Sequence, residues 1–592
     1  MPNELPAASN AWAGRAVALL AILWLTALTW WLALPSEPGF SFDDREAVVG
    51  NPVVTGELPM ATAFDRDYWH HLGDAGHYRP LATLALRFDA SRVELSSREA
   101  PRGFRITNLV LHLLVILTAG VGLISLERRG GPSFPWFGLG LLAVHPASAD
   151  AVAWISGRTS LISGLGAVLA LLLVASGRSA SVGAVRMFLG GFFGVIVSLL
   201  GKEDGLVIAA AVPVVAFALP VADETRAALR FKRAAAAFLG ALLAVGIVAW
   251  LRHEALGSAL PAAPAAPLLR VPLVDRLALG VSAWWQGLYD ALMPWTAPPP
   301  SRTIEDLMYR EVSTTPGAAL GYGAGVVGFG LAGVGAVLLF LGWLVQGQAG
   351  ARLSLALSAF AALPLIQLVP AGEIFAPRFL YQPLLLGTVW VAAVGRRLGV
   401  PLQVALLLAL AGVSVFRAAP VYDSRESYWQ AHLPAHATDA KIWNALGECA
   451  REKGQLDEAR KRFERSHELD PEYSRSVANL GAMAMKAGDL DEAERWLTEA
   501  IFEGRSEDAP RGNLATVLMR QGRIDEALEF YQDAARLSPG RVTYHRGIAR
   551  ASLELGLYAE ARAALETAAK LAPNDPATAS LLLRLNDAEG ED

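Results

Sequence analysis

Gly454-Gln-Leu-Asp-Glu-Ala459 returns at a constant offset of 34 residues as Gly488-Asp-Leu-Asp-Glu-Ala493, Gly522-Arg-Ile-Asp-Glu-Ala527 and Gly556-Leu-Tyr-Ala-Glu-Ala561. Leu446-Gly447, Leu480-Gly481, Leu514-Ala515 and Ile548-Ala549 repeat with the same step. Pro471, Pro539 and Pro573 occupy one further column, which Arg505 alone interrupts. A fixed period of this kind marks stacked supersecondary units, each burying its apolar face only against its neighbours.

The lattice resembles the tetratricopeptide repeat, which implies two antiparallel helices per unit, small residues where they touch and a proline closing the second. Four repeats are expected over about 439–574, with a capping helix ending near Asn586, so that residues 433–592 form an α-solenoid. Such arrays offer a concave face to peptides, and binding is the functional reading; a spacer or rigid support is the plainer one. Cys449 is the only cysteine and sits beside Gly447, where a buried small hydrophobe is expected. One cysteine excludes an intrachain disulfide framework and any cysteine-built zinc or iron–sulfur site.

Outward from the repeats the composition changes. Residues 433–592 carry 29 Asp+Glu and 21 Lys+Arg, whereas residues 1–432 carry 27 and 30 in nearly three times the length. The formal net charge of -5 therefore divides into about -8 on the repeats and +3 on a charge-poor segment. Neither part is basic enough to suggest a nucleic-acid partner. With 53% hydrophobic residues in 592, the first 432 residues read as a polytopic membrane domain.

The first apolar run extends from Arg15 to about Pro35. It is too long, and too bulky at Trp30-Trp31, for a cleaved signal peptide, and reads as an uncleaved anchor. Further runs fall near 105–125, 134–150, 159–176, 187–201, 205–221, 234–251, 317–346, 353–370, 379–395 and 400–417, giving about eleven transmembrane helices. Arg128-Arg129, Arg178, Arg186, Arg226, Arg230, Lys232, Arg233, Arg352 and Arg396-Arg397 lie on alternate loops, which assigns those loops to the cytoplasm. The N-terminus is then cytoplasmic and the repeats face the other side, a periplasm or an equivalent lumen such as that of the endoplasmic reticulum. Residues 272–293 would invert this order as a twelfth span; Asp275, Arg276, Asp290 and Trp284-Trp285 suit an interfacial helix better. The glycines of 317–346 read as close helix packing.

Chemistry concentrates on the outer side. The first external loop, 36–103, opens with Phe42-Asp43-Asp44-Arg45-Glu46, an acidic pair at the lip of the bundle. Partial burial there raises a carboxylate's pKa and suits it to general-base work; a solvated loop charge or a helix cap is the plainer alternative. Asn108 and His112 share one face of a helix inside a span, a functional pair or an interhelical hydrogen bond. His70, His71 and His77 lack zinc spacing. No phosphate loop, dinucleotide fingerprint, nucleophile elbow or paired metal motif occurs, so the energy for any transfer comes from an activated donor.

Read in order, the blocks Phe42-Asp43-Asp44 to Asn51-Pro52, Asp67-Tyr68-Trp69, Tyr78-Arg79-Pro80-Leu81, Asn108 with His112, Val144-His145-Pro146 leading to Asp150 and Gly157-Arg158, Lys202-Glu203-Asp204-Gly205, and Ala376-Pro377-Arg378 to Tyr381 resemble the transmembrane and tetratricopeptide repeat O-mannosyltransferases of the GT-C glycosyltransferase superfamily. Pro377 stands where that family has an acidic residue, and Asp150 where it has glutamate. The resemblance implies an inverting transfer of a sugar, mannose, from a polyprenyl-phosphate donor to a protein Ser/Thr hydroxyl. It assigns Asp43 and Asp44 to the catalytic pair, either of which matches the base, with Asp43 taken as base and Asp44 as orienting it or raising its pKa, and Arg378, Tyr381 and Lys202 to the donor phosphate. Arg79, His145, Asn108 and His112 fall to substrate binding. For Arg79 the alternative is a salt bridge to Asp43, Asp44 or Asp67; for His145, a hydrogen bond to backbone freed by Pro146; for Lys202, a neutralised pair with Glu203 and Asp204. No metal ligand is assigned, though a divalent metal accompanies the donor in some relatives. The alternatives are a non-enzymatic membrane-anchored scaffold for cell-envelope assembly, a transferase acting on a lipid or glycan, and a transporter or flippase.

Overall fold

The computed structural model describes residues 6–35, 39–41, 44–69, 76–128, 132–176, 183–218, 227–258, 302–303, 337–339, 342–343, 345–362, 373–375, 377–434, 437–504, 507–572 and 575–591. Contacts divide the chain into two units, Met1–Ala431 and His432–Asp592. Both are helical, apart from a short antiparallel pairing of Arg302–Thr303 with Glu373–Phe375.

In the second unit the 34-residue period becomes four helical hairpins. Their helices are Ala440–Glu452 with Leu456–Leu469, Ser474–Ala487 with Leu490–Glu503, Ala509–Gln521 with Ile524–Leu537, and Val542–Glu554 with Tyr558–Leu571, capped by Pro576–Glu591. The repeating glycine ends the first helix of each pair. Gly488 and Gly522 adopt φ of +90° and +80°, a left-handed conformation that costs glycine no Cβ clash. The repeating alanines Ala459, Ala493, Ala527 and Ala561 are fully buried where the two helices of a hairpin meet. Cys449 is buried and free.

Among the described residues of the first unit six helices are long and apolar enough to cross a membrane: Trp12–Leu32, Ala100–Glu127, Arg158–Ser176, Gly183–Gly201, Ala228–Leu256 and Val400–Tyr422. Shorter apolar helices cover Gly205–Ala218, Ala349–Ala361 and Tyr381–Gly395. The expected run at 134–150 is broken: its α-helix Trp136–Val144 rises about 14 Å at 1.5 Å per residue, less than half a bilayer core, and is followed by a 3-10 turn, Pro146–Ser148, and a short helix, Ala149–Val152. Pro146 is the cause, since it bars helical geometry at His145, which turns extended. The segments 272–293 and most of 317–346, with their glycines, lie outside the described residues.

That helix break sets the core of the bundle. Pro146 has no N–H for Leu142 O, the Ala147 N–H turns to His145, and Ser148 N bonds to His145 O, so three carbonyls lose their helical partners. Each is taken up by a side chain. Ser148 Oγ donates to Leu142 O (3.0 Å), Trp30 Nε1 and His112 Nε2 to Ala143 O (2.8 and 3.1 Å), and Ser414 Oγ to Val144 O (2.7 Å). The first, second and last long helices are thereby tied to one interruption, which matters in lipid because no water replaces a missing partner.

Candidate functional site

Asp44 opens a five-residue helix, Asp44–Val48, and has no exposed surface. One carboxylate oxygen accepts from Ser41 N (3.2 Å) and Ser41 Oγ (2.9 Å), the other from Ser156 N and Ser156 Oγ (both 2.9 Å). Burial pushes its carboxyl up, against the pull of Arg105 and of the serine donors. With both oxygens committed, Asp44 pins the first loop to the turn that ends at Arg158. Asp43 lies outside the described residues, between Ser41 and Asp44 in the chain.

Two guanidiniums that carried no role in the sequence reading hold the same turn. Arg158, 1% exposed, donates to Asn108 Oδ1 (2.8 Å), Ala85 O (2.7 Å) and Phe104 O (2.9 Å) and pairs with Asp89. Arg105 donates to Ala153 O (2.8 Å), Gly39 O (2.8 Å) and Tyr422 O, joining the first loop, the turn and the end of the last long helix. Asn108 completes the set through Nδ2 to Trp154 O (2.8 Å), so it braces the turn from within. Gly157 is required here, because a Cβ would stand 2.0 Å from Asp150 O. The signal that marks both arginines is an ionisable residue at the edge of an apolar run, which has to find partners when buried.

His145 is buried, and its Nδ1 accepts the Ala147 N–H (3.1 Å), the backbone role set out as its alternative. His112 donates through Nε2 to a carbonyl, which leaves Nδ1 as acceptor for the Tyr381 hydroxyl (2.8 Å). Tyr381 is fully buried, so this hydroxyl anchors the start of the helix Tyr381–Gly395 to the bundle, a geometry that departs from the expected phosphate contact.

The cationic side of the site forms around Lys202. Its ammonium donates to Ser160 Oγ (2.9 Å), lies 3.5 Å from the Asp204 carboxylate and sits 5.2 Å from the centre of the Phe379 ring. Asp204 accepts from Ser163 Oγ (2.7 Å), and Gln382 Nε2 also reaches that hydroxyl (3.1 Å). Phe379 belongs to the single turn Pro377–Leu380, which carries Arg378 and packs on Pro146–Ser148 and Ala149–Val152. The same stretch of turn thus meets Asp44 at Ser156 and the Arg378 segment at its other end.

The neutralised pair expected within Lys202-Glu203-Asp204 is divided differently. Glu203 turns to Arg79, with Nη2–Oε2 at 3.0 Å and Nε–Oε2 at 3.1 Å, and His77 Nδ1 stands 3.5 Å away. Arg79 is therefore in a salt bridge, and the partner the structure describes is Glu203. Asp67 accepts instead from the backbone N–H groups of Trp69 and His77 (both 2.6 Å). Burial raises the Glu203 carboxyl, but Arg79 and His77 outweigh it and hold it well below the usual carboxylate range. Its stabilising contribution is present above about pH 4.3, where the group titrates in the unfolded chain, and is lost as pH falls through the lower folded value. Arg79→Met is expected to cost about 1.5–3 kcal/mol at neutral pH, with the gap to wild type closing below about pH 4 in thermal melts across an acid series. A gap independent of pH would show that the pair is not what holds this loop.

Among the described residues no group of three or more His, Cys, Asp or Glu could hold a metal ion. His70 and His71 lie outside the described residues.

The tetratricopeptide repeat family model matches residues 434–514 and 518–585. The chain is similar to the protein O-mannosyl-transferase F38B6.6 of Caenorhabditis elegans, 30% identical over 28% of this chain and 23% of that protein. It is similar also to the O-mannosyl-transferases Tmtc1 of Drosophila melanogaster (36% identical, 21% of this chain, 14% of that protein) and TMTC4 of Homo sapiens (32%, 22% and 20%). The matches thus span less than a quarter of these relatives' own length. Among solved structures, MamA is 21% identical over 25% of this chain and 81% of its own, with a TM-score of 0.23. The resemblance to the transmembrane and tetratricopeptide repeat O-mannosyltransferases therefore holds for the stretches matched.

Proposed function

We propose that the chain is a GT-C-type inverting glycosyltransferase that moves mannose from a polyprenyl-phosphate donor to a Ser or Thr hydroxyl of a protein on the outer side of its membrane. Asp43 takes the hydroxyl proton as the acceptor oxygen attacks the anomeric carbon. The bond from that carbon to the phosphate oxygen breaks with inversion, and the lipid phosphate departs with the electron pair. The positive charge that favours this departure comes from Arg378, whose fork suits two phosphate oxygens, and from Lys202. The repeats bind the acceptor protein. The setting is a bacterial inner membrane, with the N-terminus cytoplasmic and the repeats periplasmic. A divalent ion, where relatives use one, would accompany the donor phosphate; no step above depends on it.

The observation that carries this reading is the turn from Pro146 to Ser156. It is bonded at Ser156 to Asp44, the neighbour of Asp43, and packed at Pro146–Val152 against the segment that bears Arg378, with Lys202 alongside. Base and phosphate groups separated by more than 300 positions thus belong to loops that share one support. Purified full-length protein, given polyprenyl-phosphate [14C]mannose and Ser/Thr-rich peptides, is expected to yield labelled peptide whose sugar is released by mild alkali. Label appearing only in lipid or glycan would transfer the same chemistry to another acceptor, and no donor turnover at all would leave the scaffold reading.

A further inference from the structure

The three helices that support the rim also enclose a cavity of about 640 Å³ at their other ends. Ala100–Glu127, Arg158–Ser176 and Tyr381–Gly395 all begin at the loops of the candidate site; the cavity is walled by the later turns of the first two, from Thr118 to Leu126 and Val168 to Ala175, and by the middle of the third, from Leu385 to Val389. A helix of 19 residues rises about 28 Å, close to the hydrocarbon thickness, and Arg230 and Arg396 belong to the loops whose positive charge assigns them to the side opposite the candidate site. The walls are aliphatic. The charged lining is Arg230 and Arg396, with Ser133 and Gln348 beside Arg396, and Thr118, Ser354 and Thr388 are the polar residues among the aliphatic walls. Arg396 donates to Ser133 Oγ (2.6 Å) and to Gln348 Oε1, both neutral acceptors, which orient its guanidinium. Among the described residues neither arginine has an ion-pair partner, and the cavity lining contains no acidic side chain.

We propose that this cavity binds an anionic glycerophospholipid of the leaflet opposite the candidate site, its phosphate between Arg230 and Arg396 and an acyl chain along the aliphatic walls. Two cationic forks at the mouth of an apolar chamber between spans match a phosphate head on a hydrocarbon tail, and the volume lies within the ordinary range for small-ligand sites. A bound lipid would join Ala349–Ala361 to the helices that carry His112 and Arg158.

Native mass spectrometry of the full-length protein, released from detergent containing equal phosphatidylglycerol and phosphatidylcholine, tests the assignment. Phosphatidylglycerol is expected to be retained preferentially, with the preference falling about fivefold for Arg230→Gln or Arg396→Gln and further for both. Arg396→Lys is expected to restore most of the preference by keeping the charge, and Thr118→Phe to reduce retention of either lipid by filling the chamber. Thermal melts of each variant identify any that fails to fold, and for such a variant Arg396→Lys and Thr118→Phe supply the comparison. Equal retention of the two lipids by wild type, displacement by millimolar inorganic phosphate, or an Arg230-dependent preference for polyprenyl phosphate over phosphatidylglycerol would each overturn the proposal.

Discussion

Asp43→Asn is expected to lower donor turnover by about 10²- to 10⁴-fold, the usual worth of a positioned general base, with little change in thermal stability. Asp44→Asn is expected to act in the opposite manner. Each oxygen of Asp44 accepts two hydrogen bonds from Ser41 or Ser156, so an amide nitrogen at either position would face donors. Leaving such buried donors unpaired costs about 1–3 kcal/mol, which appears as a lower melting temperature and as reduced activity that stabilising lipid partly recovers. Turnover of polyprenyl-phosphate mannose and melting midpoints, measured on both variants, separate the roles. A stable, inactive Asp44→Asn beside an active Asp43→Asn would exchange them.

Arg378→Ala is expected to reduce turnover by about 10²- to 10³-fold, mainly in kcat, since the charge it opposes develops as the phosphate departs. Arg378→Lys should recover part of this, because an ammonium supplies charge without the bidentate fork. Lys202→Met should cost less than Arg378→Ala, for Lys202 is already engaged with Ser160 and Asp204 and only part of its field reaches a donor. Steady-state kinetics in donor concentration read all three. An Arg378→Ala enzyme within about twofold of wild type would remove the guanidinium from the reaction.

The repeat array was legible because its period is local: a glycine, an acidic turn and an alanine recur in register, and the helices follow from that alone. The membrane unit was legible as apolar length but not as interruption. The 134–150 run has the composition of a span, and only the proline after His145 signals that its helix stops at Val144. Site roles were harder because they depend on distant partners. Asp44 is explained by Ser156, 112 residues on, and Glu203 by Arg79, 124 residues back, so of the neutralising partners that adjacency suggested for Lys202 the fold keeps Asp204 and turns Glu203 elsewhere. Arg105 and Arg158 were missed as roles for the same reason, although their charge at the margins of apolar segments was visible.

The interruption after Val144 also bears on biogenesis. Val144 O is satisfied by Ser414, 270 residues downstream, so when the third apolar stretch leaves the ribosome its partner has yet to be translated. An unpaired carbonyl in hydrocarbon costs several kcal/mol, and the nascent segment therefore has to remain near the translocon or the water interface until the last membrane helix is made. The core of the membrane unit is thus completed only once Ser414 has been made, and truncation before Ser414 leaves Val144 O without this partner.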